Sequence, residues 1–288
     1  MNLEGLKSFV ADIFGRLGLP DASARLAAAA LVAADAEGMP AHGLRLVPVY
    51  VERILAGSVS LATEPKMLHD GGSAIVLDAE HMLGQLSSDW AIPMVSERAR
   101  EHGIACVAVR NAAHFGSAGF WARQIAEAGL VGIVLSNGRP LRSPPAAAVA
   151  LPSSAAHPFV VDLQANRAAA DPAAAIARML LPSDPARSLA LATAVELLCG
   201  GLSGGALGTD LGAFDGDSAT PCGASQLFLA IDPVRFGIKD LAERVAGYAT
   251  TDQRAIPKPC QGEFTLPQEL VAKLNDCAAR VGVQRTVE

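Results

Sequence analysis

No stretch of this sequence approaches the ~18 consecutive apolar residues that a membrane-crossing helix needs. Even the apolar segment around Leu189 is interrupted by Glu196. No cluster of lysine and arginine stands out, and a net charge of −6 argues against nucleic acid and anionic membranes as partners. Cysteine is sparse: the five, at 106, 199, 222, 260 and 277, form no C-x-x-C and no metal spacing. That excludes a disulfide scaffold and a zinc site and points to a reduced, cytoplasmic setting. The start, Met1-Asn2-Leu3-Glu4, has no basic segment followed by an apolar one, so no secretory signal is expected.

Catalytic signatures are also missing. No G-x-G-x-x-G follows a strand pattern, and the glycines from Gly200 to Gly208 come after a helical one, so the dinucleotide fingerprint is absent. There is no G-x-x-x-x-G-K-[ST] phosphate loop. Phe115-Gly116-Ser117-Ala118-Gly119 misses the G-x-S-x-G nucleophile elbow by one glycine position. H-E-x-x-H and paired His/Asp spacings are lacking, so no metal is expected.

What remains is a globular chain. Its 288 residues, 51% hydrophobic and 18% charged, hold ample core for one large domain or two small ones. Leu3, Leu6, Phe9, Val10, Ile13, Phe14 and Leu17 recur at helical spacing up to Gly18. A second helix is expected from an Asp21 cap to about Asp35, and a third from about Ala41 to Gly57. Met67 to Leu77 reads as a hairpin across Asp70-Gly71-Gly72, followed by a helix over about 85–100. Strands are expected at 104–109, 131–135, 159–163 and 226–231. Helices are expected near 120–128, 172–180, 185–199, 234–247 and 266–281, with 137–157 as loop. The alternation gives an α/β class: a central mixed β-sheet flanked by helices, with a small N-terminal helical subdomain. The expected units are 1–62 (helical), 63–264 (α/β) and 265–288 (a C-terminal helix on the helical unit).

Two histidines stand out from the six. His114 lies in Arg110-Asn111-Ala112-Ala113-His114-Phe115-Gly116, a glycine-punctuated turn between a buried strand and a helix. Such a turn gathers side chains and free amide groups at a helix start. His42 lies in Met39-Pro40-Ala41-His42-Gly43, at the mouth of the third helix. A histidine pair in an α/β protein suits proton transfer beside a redox cofactor.

The two segments together resemble the malate/L-lactate dehydrogenase family of NAD(P)-dependent reductases, whose cofactor fold is not of the Rossmann type. Ala34-Asp35, Gly38, His42-Gly43, Pro48, Tyr50 and Gly57 look like its Ser-His-Gly segment. Asp78 with Gly84-Gln85 looks like its next loop, and Asn111, His114, Phe115, Gly116 and Gly119 match its Asn-Ser-x-His-Phe-Gly-x-x-Gly turn. Ser136-Asn137, Val160-Val161-Asp162, Glu196-Leu197-Leu198, Phe228 to Pro233 and Gly262-Glu263 follow in order. The resemblance implies hydride transfer between NAD or NADP and a small 2-oxo acid or cyclic 2-imino acid, with His42 or His114 handling the proton. It implies Ser136, Asn137, Asp162, Asn166, Arg187 and Gly262 at the cofactor, and Arg45 and Tyr50 at the substrate carboxylate. It also implies a homodimer with the active site between subunits.

The sequence departs from that pattern in places. Ala41 stands where the family has serine, and Leu46 where it has arginine, with Arg45 one position earlier. The glycine-rich loops after Asn137 and Asp162 are cut down, and Arg187 replaces a motif lysine. Retention of both histidines favours a working reductase; the lost loops favour a non-catalytic binding or assembly subunit. Site chemistry decides for the enzyme.

Overall fold

The computed structural model describes residues 2–138, 146–164, 185–251 and 265–287. Helix α1 (Leu3–Arg16) is capped by the Asn2 side chain, which accepts the Gly5 N–H at 2.6 Å. It buries Leu6, Phe9, Val10, Ile13 and Phe14 against α2 (Asp21–Ala36), whose alanine-rich face lets the two approach closely. Asp21 is not the cap expected: Pro20 precedes the helix and Asp21 is its first residue, paired with Arg25 one turn on. Nor does the third helix begin at Ala41. Single 3-10 turns at Pro40–His42 and Leu44–Leu46 come first, split by an extended Gly43, and α3 runs Val47–Leu55 with Pro48 in its first turn.

The sheet has seven strands in the order β1-β2-β3-β7-β4-β5-β6. They are β1 (Lys66–Asp70), β2 (Ala74–Asp78), β3 (Ile104–Ala112), β4 (Val131–Ser136), β5 (Ala146–Leu151), β6 (Phe159–Asp162) and β7 (Ala224–Ile231). Among the described strand pairs, β2 and β3 run parallel and the others antiparallel. Strand period 2 divides β3 cleanly. Ala105, Val107 and Val109 join the main core, while Cys106 and Ala108 face Val195 and Cys199 on the other side. Helices α4 (Gly84–His102) and α5 (Ala118–Glu127) pack on the first face. Helix α6 (Pro185–Glu196) and the π turn Leu197–Gly201 cover the second.

Strand β5 lies where a loop was expected. Its run Ala146-Ala147-Ala148-Val149-Ala150 has little strand propensity, but small residues let α5 press onto the sheet there. The helix expected at 234–247 is a 3-10 turn, Pro233–Phe236, stopped by Gly237 at φ +78, and a separate α7 (Leu241–Thr251). The one expected at 172–180 lies outside the described residues. Helix α8 (Gln268–Arg280) packs on α3, burying Leu274, Cys277 and Ala278, and Arg285 then bonds Ser8 and Gly5 of α1. One continuous core runs from Leu6 through Trp121 to Ala278, so helical unit and sheet share it.

Candidate active site

Each histidine is delivered by a short irregular segment held at both ends. Near the end of β3 the strand is broken at Asn111 (φ +54), where its register with β7 shifts; the chain then passes His114 and turns again at Gly116 (φ +86) before α5. The loop before α4 zips onto this bend: the His81 amide donates to Asn111 O at 2.7 Å and the Ala113 amide to Met82 O at 2.9 Å. His42 ends the 3-10 turn after α2, and the Ser117 hydroxyl contacts Met39 in the same stretch.

The two rings meet. His42 Nδ1 is 3.4 Å from His114 Nε2, with ring centroids 5.6 Å apart and planes within 3°. That places the imidazoles edge to edge in nearly one plane. The other nitrogen of His114 has two neighbours. The Gly116 amide donates to Nδ1 at 3.1 Å, and Tyr50 Oη lies 3.0 Å from it. Gly116 suits a ring with its proton on Nε2, while Tyr50 can accept from a ring protonated on Nδ1. The pair therefore has hydrogen-bonded partners for either tautomer.

Beneath it, Tyr50 donates to His114 O at 2.9 Å and accepts from Gln85 Nε2 at 2.9 Å. Phe214 covers the face of His114, centroids 5.0 Å apart, and leans on Tyr50 at 4.8 Å. A fully buried arginine holds that phenylalanine in place. Arg53 donates to Phe214 O (2.8 Å), Ala213 O (2.7 Å) and Thr220 O (2.8 Å), and its guanidinium lies 5.2 Å from the Phe214 centroid. Three carbonyls take the place of a carboxylate partner.

Burial, reinforced by the neighbouring His42, pushes the His114 pKa down to about 3, so this ring is neutral at physiological pH. His42 is lowered by burial too, with the Asp162 carboxylate opposing the shift. Tyr50 is raised by burial and stays a neutral hydroxyl. Of the two rings, His42 is the one with a carboxylate, Asp162, in range.

The other candidates are placed as follows. Asp162, at the end of β6, accepts from Ser117 Oγ (2.9 Å), the Gly119 amide (2.7 Å) and the Gln164 amide (2.8 Å), and so caps α5 close to His42. Ser136 donates to Ser225 O at 3.1 Å, and Asn137 Oδ1 accepts the Ser225 amide at 2.7 Å, tying the end of β4 to β7. Arg45 is exposed, with its charge felt by Asp35 rather than by the histidine pair. Asn166 and Gly262 lie outside the described residues; Arg187 is in α6, where its side chain is not described.

Sequence reasoning missed Gln85, Arg53 and Phe214 as parts of this site. A charge in the buried stripe Val47, Tyr50, Val51, Ile54 was a readable signal for Arg53. Phe214, alone in Leu211-Gly212-Ala213-Phe214-Asp215-Gly216, offered none.

Two stretches of the chain, residues 1–165 and 155–285, match the malate/L-lactate dehydrogenase family. The chain belongs to that family. It is similar to malate dehydrogenase of Pyrococcus abyssi, 39% identical over 139 residues, which are 48% of this chain and 38% of that protein. It is also similar to (2R)-3-sulfolactate dehydrogenase (NADP(+)) of Chromohalobacter salexigens, 30% identical over 257 residues, 76% of this chain and 77% of the relative. The match spans only 36% to 39% of the length of the first curated relatives. The fold is that of the solved malate dehydrogenase from Pyrococcus horikoshii OT3: TM-score 0.83, 23% identity, covering 100% of this chain and 96% of that one.

Proposed function

We propose that this protein is a reductase that moves a hydride between NAD or NADP and a small 2-oxo acid or cyclic 2-imino acid. The observation that carries the reading is the hydrogen bond between His42 and His114, 72 residues apart in the chain. A nicotinamide brings a hydride and no proton, so the protein has to supply the proton, and this pair is built for it. In that respect the residues fit the cofactor; when bound, the nicotinamide would supply the hydride.

His42 gives the proton. In its charged form Nδ1–H donates to His114 Nε2, which moves the His114 proton to Nδ1 toward Tyr50 Oη at the expense of the Gly116 hydrogen bond, and His42 Nε2–H is left for the substrate oxygen or nitrogen. After transfer the pair is neutral and His42 Nε2 is bare, ready to take a proton from water across its half-exposed edge. Phe214 keeps water off His114, so the relay ring stays neutral throughout. Ser136, Asn137 and Asp162 then shape the wall of the cofactor cleft through the strand and helix ends they fix. Family resemblance supports a homodimer with the site near the subunit boundary, sparse unpaired cysteine supports a cytoplasmic setting, and Arg45, exposed three residues past His42, is free to meet a substrate carboxylate.

A thermal-shift titration with NADH and NADPH tests the reading. Nucleotide at 100 times its dissociation constant adds ~2.7 kcal/mol of stability. No shift with either nucleotide ends it.

A further inference from the structure

The histidine pair is only as good as the backbone that aims His42, and one buried carboxylate controls that backbone. Asp35, in the last turn of α2, is 7% exposed, and its Oδ2 accepts the Leu44 amide. A Cβ on Gly43 would overlap the same carboxylate outright and would come within 3.1 Å of Leu31 O. Residue 43 therefore has to be glycine because Asp35 occupies the space of its side chain. The carboxylate thus grips the two residues that immediately follow His42, from the inside of the fold.

We infer that Asp35 is a positioning residue, whose carboxylate clamps the Gly43–Leu44 backbone and so sets the line along which His42 meets His114. The inference rests on the proposed proton-transfer role of His42. Few charges face the clamp: Arg45, on the 3-10 turn that Asp35 holds, is the cation acting on it, and the Leu44 amide is the donor. Burial raises the carboxyl to about 6, against the pull of both. A charge kept in a place that disfavours it is unsuited to stabilising the fold and well suited to holding a polar backbone in one direction.

The experiment compares D35A and D35N with the native protein by three readouts: 15N resonances of the His42 and His114 rings without nucleotide, melting temperature at pH 7.5, and kcat and KM for 2-oxo acid reduction. In D35A the clamp is gone, so His42 should titrate closer to 6.5 and lose its coupling to His114. Its kcat should fall on the order of 10- to 100-fold, as a misaligned group costs, with no drop in melting temperature. D35N keeps an oxygen for Leu44 but not the charge, so both effects should be present and smaller. If D35A does not fold, D35N decides. Native His42 resonances and native kcat in D35N, or in a folded D35A, overturn the inference. A native protein that reduces no 2-oxo acid removes the reductase reading, while the ring resonances still judge Asp35.

Discussion

Tyr50 stands at the far nitrogen of His114 from His42, its hydroxyl oxygen 3.0 Å from Nδ1 and 2.9 Å from the carbonyl of the same residue. It is fully buried. Its contact is therefore with the relay ring rather than with a substrate in solvent. Removing the hydroxyl in Y50F takes away the acceptor for an Nδ1 proton and leaves only the Gly116 amide, which favours the other tautomer. His42 would then be harder to protonate, and the pH at which reduction fades should move down. Gln85 also loses its partner, and its Oε1 already has none among the described residues, so stability should fall by about 1–3 kcal/mol. A pH–rate profile and a urea titration of Y50F check both. An unchanged profile would remove Tyr50 from the relay.

The direction of that profile is itself a prediction. In the proposed mechanism reduction uses the charged form of His42, and burial lowers its pKa from 6.5. Reduction should therefore be fastest on the acid side and decline with a midpoint under 6.5, while oxidation of the 2-hydroxy acid should rise over the same range. Initial rates in both directions between pH 5 and pH 8 give the answer. A reduction rate that climbs through neutrality would contradict the assignment.

Phe214 and Arg53 should behave as one unit. F214A opens the face of His114 to water, so its pKa should climb from about 3 toward the ordinary 6.5. R53M strips the donor from the carbonyls of Ala213, Phe214 and Thr220. The loop should loosen, with a loss of about 2–4 kcal/mol, since orphaned carbonyls in a partly open loop incur less than the full penalty. Histidine titration by NMR should show R53M shifting His114 the same way as F214A. If R53M leaves His114 at its native value, the arginine supports the loop without supporting the site.

How far the sequence foretold this arrangement depended on which physical signals are local. Helical period and glycine stops located α1, α2 and α8, and the Asp-Gly turn located the β1–β2 hairpin. Strand β5 was hidden because its alanines are selected by the pressure of α5, a tertiary effect with no local trace. His42 and His114 were legible through their turns and through family resemblance. That the two rings converge was legible in the same way; their edge-to-edge geometry was not, because the bend at Asn111 and the clamp on Gly43 exist only between segments. Arg53 was readable as a charge beside a buried stripe, but its partners, the carbonyls of Ala213, Phe214 and Thr220, were not.

Asp35 and His114 pull the pH dependence of stability in opposite directions. Asp35 is raised from 3.8 to about 6. Its ionised form is therefore disfavoured in the fold: the stability present below pH 3.8 is lost as pH rises through 6, by about 3 kcal/mol in all. His114 is lowered from 6.5 to about 3, so its sign is opposite. The unfolded chain takes up a proton near 6.5 that the fold refuses until about 3, and acid destabilises across that window. Between pH 6 and pH 3.8 the two slopes cancel. D35N resembles the protonated carboxyl at every pH and leaves His114 unopposed. It should be more stable than the native protein by about 3 kcal/mol at pH 7.5, and the advantage should vanish near pH 4. Urea unfolding of both proteins at the two pH values measures the difference, in which shared titrations drop out. An equal gap at both would mean that Asp35 titrates normally in the fold.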